Sequence, residues 1–196
     1  MDQQVVLKAV PGGVEKKRFS EEELKILAKE DRERAFHCVV QQYKRPLYYH
    51  ALYMLRDEDE ALDVSQEVLI RAYQENRLFD DDFAIKAWLY RVATNLCHNL
   101  RRSSRRKQKA CDVLMREEEP RIEGTDEVII GEEEREKLLD ALEQLPEKDK
   151  NILLLRYFDN LSYKEISTAL KCKLGTVMSR LGRARNRLAK SVDHAL

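Results

Sequence analysis

The stretch "KCKLGTVMSRLGRARNRLAK", Lys171–Lys190, holds seven basic residues and no acid. On a helix, Leu174, Val177, Leu181, Ala184 and Leu188 recur at three- and four-residue spacing and form one apolar stripe. Thr176, Ser179, Arg180, Arg183, Arg187 and Lys190 fall on the other side, so one face is built to pack and the other presents hydrogen-bond donors and positive charge. Just upstream, "SYKEISTAL" (162–170) makes a second short helix whose Ile166, Ala169 and Leu170 can cover that stripe. Helix, short turn and basic second helix form a helix-turn-helix, whose second helix enters the DNA major groove. Gly175 beside Thr176 suggests backbone N–H groups open to a phosphate at the helix start.

The surroundings fit an all-α protein. The 196 residues contain 36 basic and 36 acidic side chains, so the total charge is zero and only its segregation informs about partners. Six Gly and four Pro are too few for a sandwich or barrel. Strand-like alternation never persists. Ser20 and Glu23 have capping-box spacing, and a helical pattern follows, restarting after Asp31 and again near Pro46, a residue suited to a first helical turn. Asp57 and Glu60 repeat the cap before Ala61, Val64, Val68, Leu69 and Ala72. A further helix, 85–103, carries Ile85, Trp88, Leu89, Val92, Leu96 and Leu100 on one stripe. Trp88, on that stripe, reads as a core residue.

Composition then changes abruptly. "RRSSRRKQK" (101–109) is strongly basic, whereas 116–136 holds ten acids against three bases. Apolar periodicity lapses between about 110 and 130, which marks a linker. The expected organisation is an N-terminal arm (1–19), a helical bundle (20–104), a flexible linker (105–131) and a helix-turn-helix domain (132–196).

Several function classes are disfavoured. No apolar run approaches the roughly 20 residues of a membrane span, and the N-terminus lacks the pattern of a signal peptide. Cys38, Cys97, Cys111 and Cys172 have no metal-ligand spacing and read as free thiols of a reducing cytoplasm. His37, His50, His98 and His194 lie in unrelated contexts. With no nucleotide, metalloprotease or nucleophile motif, no catalytic residue, cofactor or metal is expected. The rival reading is a self-sufficient regulator that binds operators as a dimer, which would need a sensor or dimerisation domain.

Two stretches resemble a known family. "LEQLPEKDKNILLLRYFDNLSYKEISTALKCKLGTVMSRLGRARNRL" (142–188) is similar to region 4 of the extracytoplasmic-function (ECF) sigma factors. "EALDVSQEVLIRAY" (60–73), followed by "AWLYRVATNLCHNLRR" (87–102), resembles their region 2. The resemblance implies a cytoplasmic factor that binds core RNA polymerase through its β and β′ subunits, recognises the −35 and −10 promoter elements and supports opening. An anti-sigma factor is a further partner that family members often have. By position, Thr176, Ser179, Arg180, Arg183 and Arg187 would contact the −35 element. Asp63, Gln66, Glu67 and Arg71 would dock on the β′ clamp helices. Lys86, Asn95, His98, Arg101 and Arg102 would face the −10 DNA, and "ENRLFDDD" (75–82) corresponds to the base-capturing loop. Met178 departs from the basic residue that relatives often carry, and Leu62 stands where an acid is usual.

Overall fold

The computed structural model describes residues 18–111, 138 and 140–193, with side chains described through Ser104 in the first segment and Ser191 in the second. These form two compact helical units. Among the described residues there is no strand, as the lack of alternation required. The arm through residue 17 and the linker from 112 to 131 lie outside the described residues.

In the first unit, α1 (Glu21–Glu30) begins with the expected capping box: Ser20 Oγ accepts from the Glu23 N–H at 3.1 Å, and Glu23 Oε2 accepts from the Ser20 N–H at 2.8 Å. Phe19, just before it, exchanges two hydrogen bonds with the Gln42 amide (3.0 and 3.2 Å). Asp31 then joins two helices, its N–H bonding Leu27 O and its carboxylate capping α2 (Arg32–Leu55) through Arg34 N–H.

The helix does not restart at Pro46. It runs unbroken past it, with Val39, Tyr43, Leu47 and Ala51 buried on both sides of the proline. A proline inside a helix removes one backbone bond; burial of that side outweighs the loss. Arg56 (φ 58°) ends α2, and Asp57 caps α3 (Glu58–Gln74) by accepting from Glu60 N–H at 2.8 Å.

The last helix of this unit, α4 (Ile85–Cys111), passes the expected boundary at 104 and makes the basic run 101–109 helical. Its core side also differs from expectation. Ile85, Leu89, Ala93 and Cys97 are fully buried with Ala87, Tyr90 and Thr94, whereas Trp88, Val92, Leu96 and Leu100 are only half-buried. Small side chains let helix axes approach closely, so Ala93, Thr94 and Cys97 face the interior and the larger residues flank it. Trp88 packs on Phe83, ring centroids 5.9 Å apart. Helix α2 packs against α1, α3 and α4, and α3 also meets α4. His50 is buried between α2 and α4, its Nε2 3.5 Å from Thr94 Oγ1 and its ring edge-on to Tyr90.

The second unit has a helical stretch at 140–143, α5 (Glu147–Leu153) widening into a π turn (Leu154–Phe158), α6 (Tyr163–Ala169) and α7 (Leu174–Asp193). Ile152, Leu153, Leu154 and Leu155 are all buried in succession, making this element central to the unit. A capping box that the sequence reading did not single out joins Ser162 and Glu165 at the start of α6. Between α6 and α7, Lys171 takes φ 48°, Cys172 N–H bonds Ser167 O at 3.1 Å, and Ser167 Oγ donates to Cys172 O at 2.6 Å. These bonds tie the turn, and α6 and α5 pack on one side of α7.

Candidate nucleic-acid and polymerase interfaces

Helix α7 buries Val177, Leu181, Ala184 and Leu188. That settles which side remains outward. Ser179 and Arg183 are exposed, and Thr176 and Arg180 are half-buried. Backbone bonds steady the outward residues: Ser179 Oγ donates to Thr176 O at 3.1 Å, and Arg183 Nε donates to Ser179 O at 3.3 Å.

Two expectations need correction here. Leu174 is 48% exposed rather than packed, because it opens the helix at the edge of the covered side. The Thr176 N–H is not open to a phosphate, since it bonds Lys173 O at 2.8 Å. Arg187 is paired with the nearly buried Asp149 of α5 and so ties α7 to its own domain. A buried carboxylate needs a partner, and α5 lies within reach of that flank. A second charge pair, Lys150 with Glu143, is likewise buried on its lysine side.

Helix α3 presents the second surface. Asp63, Gln66 and Arg71 are exposed and Glu67 half-buried, with an ion pair from Arg71 Nε to Glu67 Oε1 at 2.7 Å. The opposite side buries Ala61, Val64, Ser65, Val68 and Ala72. The sequence reading missed the apolar part of this face: Leu62 is 41% and Ile70 52% exposed, in line with Gln66 between them. Their eight-residue spacing, with Gln66 midway and all three off the buried side, was the available signal. Apolar residues ringed by hydrogen-bonding groups are the composition of a protein interface.

Along α4, Asn95, His98 and Arg102 share one side at three- and four-residue spacing, with Asn95 and Arg102 exposed and His98 half-buried. The other two expected residues do not join them. Lys86 lies about two and a half turns before Asn95, on the opposite side of the helix. Its backbone N–H bonds Glu21 Oε1 at 2.8 Å, while Ile85 N–H bonds Oε2 at 3.1 Å, so Glu21 of α1 caps α4. Arg101 donates to Met54 O at 2.8 Å, satisfying a carbonyl in the last turn of α2.

The loop 75–84 is held against α1 and α2. Leu78 and Phe79 are buried, Arg32 donates to Glu75 O and Asn76 O, and Lys25 donates to Asp81 O. Within it, hydrogen bonds to Asp80 and then Asp82 raise the Arg77 guanidinium pKa further above its already basic range. The acids of the loop are thus largely matched by local cations. Among the described residues, no cluster of His, Cys, Asp or Glu could hold a metal ion, and no helix is long and apolar enough to cross a membrane.

Comparison with known proteins accords with this geometry. Residues 39–107 match Sigma-70 region 2, and residues 135–188 match Sigma-70, region 4. The chain is 33% identical to the RNA polymerase sigma-H factor of Pseudomonas aeruginosa, over 83% of this chain and 89% of that protein. It is 34% identical to the ECF RNA polymerase sigma-E factor of Escherichia coli K12 (67% and 73% covered). With the ECF sigma factor SigW of Bacillus subtilis it shares 31% identity (81% and 89% covered). Among solved structures, the fold is shared with the sigma factor RpoE of Bartonella quintana, crystallised with the anti-sigma factor NepR: TM-score 0.65, 22% identity, 85% of this chain and 98% of that one. CnrH, solved with the cytosolic domain of CnrY, gives a TM-score of 0.61 at 21% identity, covering 87% and 96%.

The chain belongs to the extracytoplasmic-function family of RNA polymerase sigma factors. Its function is that of an alternative sigma factor in promoter recognition and transcription initiation.

Proposed function

We propose a division of labour in which α3 docks the polymerase, α4 meets the −10 region and α7 reads the −35 element. The observation that carries it is the α3 surface: an exposed strip of Leu62, Gln66 and Ile70 beside Asp63, Glu67 and Arg71. A regulator acting alone on DNA has no use for such a face, whereas a factor that works only on the enzyme requires one. Leu62 and Ile70 supply apolar contact with the β′ subunit, and the polar residues set the register. On α4, Asn95, His98 and Arg102 form the DNA-facing group; Lys86 and Arg101 act at a distance from it, the latter by fixing α2 against α4. On α7, Arg180 and Arg183 donate to guanine edges while Thr176 and Ser179 complete the polar surface. Arg187 holds the helix in place through Asp149.

The chain works in the cytoplasm as a non-enzymatic factor, needs no cofactor, and contacts β and β′ of core RNA polymerase together with promoter DNA. The fold shared with the sigma factor solved with the anti-sigma factor NepR supports an anti-sigma factor as a further partner. Run-off transcription with purified core polymerase tests the proposal. Transcripts from defined start sites that require both chain and core enzyme are expected. Tight binding of the chain alone to a palindromic operator would favour the self-sufficient regulator instead.

A further inference from the structure

We infer that Met178 is a specificity-determining residue that reads the C5-methyl group of a thymine in the −35 element. The inference rests on α7 being the recognition helix. A single exposed methionine on a protein surface needs no special account. The placement of this one does.

Met178 is 56% exposed on a helix that buries Val177 beside it and Leu181 one turn on. It adjoins Ser179 at the border of the outward side. Three residues before it stands Gly175 and four residues after it Gly182, and a Cβ built at either glycine meets nothing within 4 Å. The methionine side chain therefore projects between two positions that have no side chain, with open space beside both. A surface that approaches Ser179 and Arg183 can reach Met178 without displacing a neighbour.

Charge identifies that surface. Arg185, seven residues on, shares the side of Met178, and Arg183 and Arg180 lie farther round the same helix, whereas no acid occurs between Lys171 and Lys190. The cations favour polyanionic DNA. In its major groove the base edges present hydrogen-bond donors and acceptors, and one apolar group, the thymine methyl. A thioether cannot donate a hydrogen bond, and its contact with polar edges would desolvate them without return. Its unbranched, adaptable chain suits a methyl group. Leu174, one turn earlier and 48% exposed, extends the apolar border away from the arginines, so a protein surface on the polymerase is the competing occupant.

The experiment uses the full chain bound to bacterial core RNA polymerase. Promoter duplexes with a randomised −35 region are selected by binding, and each thymine of the preferred duplex is replaced in turn by deoxyuridine, which removes only the methyl. At one thymine, on either strand, the replacement is expected to weaken wild-type binding about three- to fivefold, the scale of burying one methyl group. Met178→Ala should lose that sensitivity and Met178→Leu should keep it, with equal helicity by circular dichroism in all three proteins.

The inference fails if deoxyuridine is neutral at every thymine, if the preferred element has no thymine, or if sensitivity persists in Met178→Ala. Equal weakening of Met178→Ala on every duplex, with poorer assembly on core enzyme, would assign the residue to the polymerase and also overturn it. Failure of the recognition helix itself looks different: no −35 preference emerges, and Arg183→Ala binds like wild type.

Discussion

At the scale of single residues, the arginines of α7 divide into those that face outward and one that faces its own domain. Arg183 is exposed and leans on the backbone of Ser179, and Arg180 flanks the same surface. Neither belongs to the buried set of Val177, Leu181, Ala184 and Leu188. Each substitution is expected to cost about 1–3 kcal/mol of promoter binding by holoenzyme, with unchanged circular dichroism. Arg187→Ala should behave in the opposite way. It leaves Asp149, 8% exposed, without its ion-pair partner, although solvent reaches the arginine itself. We expect a loss of about 1–2 kcal/mol in stability, smaller than for a fully buried pair, with the preferred −35 sequence unchanged. Thermal unfolding read against selected promoter sequences separates the two behaviours; altered base preference in Arg187→Ala would return it to the DNA face.

At the scale of elements, helices are joined by side chains that reach across sequence. Glu21 lies 64 residues before Ile85, yet its carboxylate receives the first N–H groups of α4. A capping group of this kind contributes about 0.5–2 kcal/mol, so Glu21→Ala should lower the folding stability by that amount and the unfolding midpoint with it. A neutral result in thermal denaturation would mean water serves equally well. Helix α3 illustrates the converse, residues that stabilise little and are available for a partner. The Glu67–Arg71 pair is solvent-exposed and adds little to folding. The double substitution Gln66→Ala, Glu67→Ala should therefore leave unfolding nearly unchanged while abolishing assembly with core polymerase and transcription. Normal transcription by the double variant would remove α3 from the docking surface.

At the scale of the whole molecule, the chain forms two compact units, and the proposed division of labour gives each unit one DNA-facing helix. A second contact adds fully to affinity only when it is held within reach of the first. Core polymerase supplies that constraint. The isolated chain is therefore expected to bind promoter DNA weakly in gel-shift titrations, and holoenzyme to bind it far more tightly. Binding should fall steeply with salt, since arginine contacts to phosphate release counterions. Equal affinity of chain and holoenzyme at the same ionic strength would argue against a division of labour between the units.

The legible part of this protein was local. The capping box at Ser20, the cap at Asp57, and the stripe of Val177, Leu181, Ala184 and Leu188 depend on neighbours within a turn or two, so spacing alone reveals them. The order of helices and the outward side of α7 followed from the same short-range rules. Contacts between distant segments were a different matter. Pro46 lies inside α2 because packing on both sides of it outweighs one missing backbone bond, and periodicity cannot weigh that balance. The core side of α4 falls on Ala93 and Cys97 rather than Leu96 and Leu100, since close helix packing selects size as well as hydrophobicity. Arg101 and Arg187 are cations whose charge and position along their helices point to DNA, and spacing says nothing of their partners within the chain. Only tertiary structure brings them to Met54 O and Asp149, because a cation binds the nearest unmet negative group in space, wherever that group lies in the chain.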